Sequence, residues 1–249
     1  MRILYDNKID SYTLVATSEA PNYPASNIVN IQLSRVWRSA AVDVAQTIDI
    51  DAGAGNTITA TGVAIAAHNL TSGATVSVVA SANSDYSAPS TNASVTYSSG
   101  IMTKFFTSDA KRYWRISFTD TTNPDGYIEV GRAFLGTYLQ VVSTFGMEFP
   151  EEREDTSQRF ISAGGQVFGD EGVISRIHSL TFPEWAAAMR LSIISMYETV
   201  KKTKPVFVLL DEGDTTNLPV MYCVFESPPS FSHILGQRYR GALTLREVH

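Results

Sequence analysis

Residues 173–210 read VISRIHSLTFPEWAAAMRLSIISMYETVKKTKPVFVLL, a strand pattern that runs into the chain's clearest helical pattern and out into another strand. Thr181-Phe182-Pro183-Glu184 has the form of a capping box, with a hydroxyl for the Glu184 amide and a carboxylate reaching back, and with proline where no amide partner is needed. From there Trp185, Ala188, Met189, Ile193, Met196, Tyr197 and Val200 recur at helical spacing and lay one apolar stripe along roughly six turns. Lys201, Lys202 and Lys204 suit the negative end of the helix dipole, and Pro205 forbids continuation. The pattern predicts a helix over about residues 182–202.

Around this element the chain reads as β. Ala45 to Asp51 alternates and sets Ile48 and Ile50 on one face, and Val63 to Ala67 and Ala74 to Ala82 add further short runs. Arg112 to Thr119 points Trp114, Ile116 and Phe118 one way and Arg115, Ser117 and Thr119 the other, as in a sheet with one buried face. Gly53-Ala54-Gly55-Asn56, Ser72-Gly73 and Asn123-Pro124-Asp125-Gly126 are turns, and Asn83 to Gly100 is a Ser, Thr and Asn-rich span read as loop. Many short strands without a helix predict an antiparallel β-sandwich over residues 1–142.

Residues 143–249 predict a second domain. Strands are expected at Ser157 to Phe168, Val173 to Phe182, Val206 to Leu210, Val220 to Phe225 and Arg238 to Val248, with the helix between them. That order gives a β-sandwich or open barrel with one packed helix. Glu148 to Asp155 carries five acids against one arginine and reads as a solvated linker, whereas the last strand carries Arg238, Arg240 and Arg246 on its outer face.

With 249 residues the chain is long enough for two cores, and its formal charge of −6 argues against a nucleic-acid-binding surface spread over the whole molecule while leaving room for a local basic strip. Its single cysteine, Cys223, lies in an apolar run and is expected as a buried thiol. The first residues do not read as a secretion signal, and the apolar runs fall short of the ~20 residues of a membrane helix, so no membrane insertion is expected.

The order Pro24-Ala25-Ser26-Asn27, Trp37-Arg38-Ser39, Gln46-Thr47-Ile48-Asp49-Ile50-Asp51, Thr75-Val76-Ser77-Val78 and Tyr113-Trp114-Arg115-Ile116 resembles a discoidin-like jelly roll, a family of binding modules. His68-Asn69-Leu70 resembles the turn of discoidin-like domains in bacteriophage tail proteins. The cysteine pair of secreted discoidin domains is absent. The strand and helix order of residues 143–249 resembles the tail-tube-like fold of phage tube, distal-tail and minor-tail proteins. Together these imply a structural, non-enzymatic subunit of a siphophage-type tail tip or baseplate, made in the host cytoplasm and carried in the virion. Its implied partners are further copies in a ring and other tail proteins: tube, hub and tape measure. An acidic balance suits a ring through which DNA passes without specific binding.

No nucleophile elbow, Walker loop or zinc-protease pattern occurs, and His68, His178, His233 and His249 stand too far apart for ligand pairs, so no cofactor or metal is expected. Asp49, Asp51 and Asp120 read as solvated strand ends, although paired carboxylates for glycoside hydrolysis leave no local motif. The alternative function is a carbohydrate-binding module for host-surface glycan, with Trp37, Arg38, His68, Asn69 and Tyr86 as the loop residues that would stack on a sugar and fix its hydroxyls. For assembly the candidates are Leu191 and Ile194, off the main helix stripe, and the complementary charges of Glu151, Glu152, Glu154 and Asp155 with Arg238, Arg240 and Arg246.

Overall fold

The computed structural model describes residues 1–141, 150–213 and 218–248. The boundary expected between residues 142 and 143, the acid Glu148 and His249 lie outside the described residues. The chain is mainly β, built of antiparallel sandwich sheets with one α-helix among the described residues. It divides into two compact units, Met1–Gln140 with Val206–Met221, and Val141–Pro205 with Tyr222–His249.

The first unit contains, in chain order, β1 (Arg2–Leu4), β2 (Leu14–Ala16), β3 (Trp37–Arg38), β4 (Gln46–Asp51), β5 (Ile58–His68), β6 (Thr75–Ser81), β7 (Thr91–Val95), β8 (Met102–Lys111), β9 (Tyr113–Thr119), β10 (Glu129–Gly136) and β11 (Tyr138–Gln140). One sheet has the order β2-β4-β9-β6-β7 and the other β3-β10-β5-β8. Alternation decides which side chains face inward. Ile48, Ile50, Trp114, Ile116 and Phe118 of the first sheet share a core with Ile58, Val63, Ile65, Met102 and Val130 of the second. Strand β1 runs between β11 and a later strand, β16 (Val206–Leu209), so residues from beyond the helix complete this unit. Several strands escape the sequence reading, β2, β7 and β8 among them. β7 lies in the span taken as loop, and β8 is too polar on its outer face to stand out.

The second unit holds β12 (Glu151–Asp155), β13 (Gln158–Ile161), β14 (Val167–Asp170), β15 (Ile174–Ala186), α1 (Ala187–Val200), β17 (Met221–Phe225, here from Tyr222), β18 (Ser230–Leu235) and β19 (Arg238–Glu247). Its sheet has the order β17-β19-β15-β12, with β18 also on β19; it is open and not a barrel. Helix α1 buries Ile193, Met196 and Val200, in the C-terminal half of the expected stripe. The expected thiol burial is found at Cys223, and burial pushes its pKa up.

Two expectations are corrected here. The helix begins at Ala187, not near residue 182, and its N-cap is Ala186 with no side-chain cap. Residues 181–186 stay in β15 across a bulge between Phe182 and Trp185. Both rings are buried there and stack 4.4 Å apart. Burying two such side chains is worth about 1.5–3 kcal/mol each, more than the ~1 kcal/mol of a helix cap. Pro183 sits at the bulge, where the ladder needs no amide, and the Glu184 carboxylate pairs with Arg238 rather than with the Thr181 amide. The acidic segment is likewise no linker in the part described. Glu151–Asp155 forms the edge strand β12 against β15, where charged side chains discourage edge-to-edge pairing.

Trp185 also fixes what lies across the sheet. A Cβ at Gly241 would stand 2.0 Å from its ring, so Gly241→Ala should cost about 1–3 kcal/mol by overpacking. Urea unfolding of this variant should show a lowered midpoint; an unchanged midpoint would contradict the packing described.

Candidate ligand-binding cleft

Because Ile48, Ile50 and Trp114 point into the sandwich, Asp49, Asp51, Tyr113 and Arg115 point out of it. On this outer face Asp49 lies opposite Arg115 and Asp51 opposite Tyr113. Arg115 Nε and Nη2 donate to the two oxygens of Asp49, both at 2.6 Å. Arg112 grips Asp51 in the same two-point manner, at 2.6 and 2.8 Å, and the Gly53 amide adds a third donor at 2.8 Å. Arg112 and then Gly53 hold the Asp51 carboxyl at about 2, against an ordinary 3.8. The floor therefore carries two carboxylates that arginines fix in place and balance in charge.

Tyrosines form the walls. Tyr86 has φ +57°, a left-handed conformation that costs a bulky residue about 1 kcal/mol or more. Two contacts hold it there: its hydroxyl donates to the Trp114 carbonyl at 3.0 Å, and its ring lies 4.1 Å from the Arg115 guanidinium. Burial pushes its phenol pKa up, so it stays a donor at neutral pH. Tyr12 follows the 3-10 turn Lys8–Ser11 and returns its amide to the Ile9 carbonyl. Tyr113 completes the enclosure, its ring 4.7 Å from the Arg112 guanidinium. The cleft between Tyr12, Val15, Asp49, Asp51, Tyr86 and Tyr113 has a volume of about 580 Å³, within the ~300–1,000 Å³ of small-molecule sites.

Of the five residues expected to meet a glycan, only Tyr86 lines this cleft. Trp37 is corrected to a core residue: it is 0% exposed, packs near Phe118 and donates its indole N–H to the Ser18 carbonyl. Arg38 lies between the rings of Tyr23 and Tyr127 and pairs with Glu129. His68 and Asn69 serve their own turn. His68 Nδ1 accepts the Leu70 amide, so Nε2 donates to the Gly100 carbonyl, and burial lowers the ring's pKa. The Asn69 side chain bonds Asp125, the Tyr127 carbonyl and the Glu129 amide. These residues stand at the far end of β5 from Ile58, whose carbonyl accepts from Trp114 beneath the cleft.

The residues expected at an assembly surface also separate. Leu191 is 60% exposed, while Ile194 is half-buried. Arg246 pairs with Glu226 and Glu154 within the chain, so the expected attraction between the acidic segment and the last strand is closed here inside one copy. Glu151 pairs with Arg153 and Arg238 with Glu184, and Glu152, Asp155 and Arg240 are exposed. Among the described residues no three His, Cys, Asp or Glu side chains are grouped to hold a metal ion, and no helix is long and apolar enough to cross a membrane.

Sequence reading treated Asp49 and Asp51 as solvated strand ends and passed over Tyr12, Tyr113 and both arginines. The usable signal was the interleaving of Asp49 and Asp51 with Ile48 and Ile50, set beside Arg112-Tyr113-Trp114-Arg115 on another strand.

No family model and no curated protein matches the chain. Among solved structures it is similar to chitosan-binding module 1 from the chitosanase/glucanase of Paenibacillus sp. IK-5, at 20% identity over 53% of this chain and 98% of that one, with a TM-score of 0.40. A Streptococcus pneumoniae fucose binding module matches at 14% identity over 53% and 95%, with a TM-score of 0.42. The family 32 CBM from C. perfringens NanJ, in complex with galactose, matches at 15% identity over 55% and 99%, with a TM-score of 0.42.

The floor of the cleft has a measurable signature. Asp51 titrates below its unfolded value, so the contribution of its ion pair is complete above 3.8 and is lost as pH falls toward about 2. Carbon-detected NMR should place the Asp51 midpoint near 2, and Arg112→Ala should move it back toward 3.8. A midpoint that Arg112→Ala leaves in place would contradict the geometry.

Proposed function

We propose that the first unit is a carbohydrate-binding module and that a neutral sugar occupies the cleft. One observation carries the reading: Tyr12, Tyr86 and Tyr113 stand over two carboxylates that arginines hold in place. A pyranose ring offers an apolar C–H face to an aromatic wall and neighbouring hydroxyls to paired acceptors and donors. Asp49 and Asp51 supply acceptors there, and Arg115 and Arg112 cancel their charge, which favours a neutral ligand over a cationic or anionic one. The cleft, rather than the likeness to solved modules, supports this.

Binding without turnover is the reading for the same groups. A glycoside hydrolase needs a carboxylic acid with a proton to give, and Asp51, held ionised by Arg112 and Gly53, has none near neutral pH. A second reading is that the chain self-associates as a ring or adaptor subunit of a phage tail tip, in contact with other tail proteins. The observation favouring it lies in the second unit, where Phe160, Phe168 and Leu191 are exposed.

Calorimetry of the full chain against neutral mono- and disaccharides should show saturable binding. Tyr86→Ala and Asp49→Asn should each weaken it at least ~10-fold, that is by ~1.4 kcal/mol or more, while Arg38→Ala at the far end should leave it unchanged. Absence of binding, or binding indifferent to Tyr86, would refute the assignment.

A further inference from the structure

The ribbon of β13 and β14 pairs with no further strand among the described residues. Its register sets Phe160 opposite Phe168 and Ile161 opposite Val167. Opposed residues share a face and neighbouring pairs alternate, so one face carries two phenylalanines and the other Ile161 and Val167. All four are between 53% and 63% exposed. An isolated two-stranded ribbon is marginal in water, and apolar side chains on both faces add exposed surface that folding has not removed. The ribbon gains from being covered.

Its charges restrict what covers it. Residues 155–174 contain three acids, Asp155, Asp170 and Glu171, against one base, Arg159. Two ribbons packed face to face would bring these acids together. Elsewhere in the same unit the end of β18 exposes Ile234 and Leu235, the latter at 78%. The surrounding residues 231–240 contain Arg238 and Arg240 and no acid. Arg240 stands opposite Ser232 on the paired strand and is exposed. Asp170 shares the Phe168 face of the ribbon, and on the β18–β19 hairpin Arg238 pairs with Glu184 while Arg240 is exposed.

We propose that the occupant is a second copy of this chain: the β13–β14 ribbon of one copy packs on Ile234 and Leu235 at the end of β18 in the next, with the ribbon's acids Asp155, Asp170 and Glu171 toward Arg240. This rests on the second reading above, that the chain self-associates, and supplies its two surfaces. The contact joins unlike patches, so it repeats head to tail and closes into a ring or continues as a filament according to its rotation. Apolar burial drives the association, and the charges set its polarity and exclude ribbon-on-ribbon pairing.

Sedimentation of the full chain tests this. The native chain should form concentration-dependent oligomers. Phe160→Ser with Phe168→Ser, and separately Leu235→Ser with Arg240→Glu, should weaken assembly at least ~10-fold while circular dichroism stays unchanged, all four positions being exposed. The decisive arm mixes the two variants. Each retains one intact patch, so the mixture should give a one-to-one dimer that neither forms alone. Oligomers unaffected by both variants would overturn this pair of surfaces while leaving self-association standing. A mixture that stays monomeric would overturn the head-to-tail arrangement, and a native chain monomeric at every concentration would remove self-association itself.

Discussion

Trp114 is the residue on which the first unit depends. Its indole N–H donates to the carbonyls of Ile58 and Lys111, on β5 and at the end of β8, while its own strand β9 belongs to the opposite sheet. A buried indole without a partner is costly, so this pair of bonds fixes the spacing between the sheets at one end of the sandwich. The Trp114 carbonyl then accepts the Tyr86 hydroxyl, and its neighbours Tyr113 and Arg115 face the opposite way, Tyr113 lining the cleft and Arg115 holding Asp49 of its floor. Core and cleft are thus two faces of one strand. Whatever holds Trp114 inward also holds the cleft-facing groups outward.

The same alternation explains what could be read in advance. Trp114, Ile116 and Phe118 announced a strand with a buried face, and Ile48 and Ile50 announced its neighbour, because period-two burial is written directly into the order of residues. The sandwich sheets and the helix stripe through Ile193, Met196 and Val200 were legible for that reason. Trp37 misled because an aromatic beside an arginine looks the same in sequence whether its ring enters a core or a loop; only the Ser18 carbonyl and Phe118, distant in sequence, decide it. The cleft was hidden by the same cause. Tyr12, Asp51, Tyr86 and Tyr113 come from four separate segments, and what makes Asp51 more than a solvated acid is Arg112, 61 residues away.

The second unit shows a local preference losing to a distant one. Thr181-Phe182-Pro183-Glu184 has every feature of a helix start, yet Phe182 and Trp185 stack on one another across a strand bulge and Gly241 leaves room for the ring. A cap needs four adjacent residues to agree. The aromatic pair needs β19 as well, which the sequence places more than fifty residues further on. The apolar ribbon and the exposed end of β18 follow a related logic. With Val173, Ile174 and Leu191 they are where this unit leaves large side chains in water.

The central claim is that ligand enters over β4 and β9 rather than at the His68 end of the sandwich. Tyrosine ring signals followed by NMR during titration with neutral oligosaccharides locate the ligand directly. The account predicts saturable shifts at Tyr12, Tyr86 and Tyr113, with Tyr23, Tyr97 and Tyr127 unmoved. Shifts confined to Tyr23, Tyr97 and Tyr127 would contradict it.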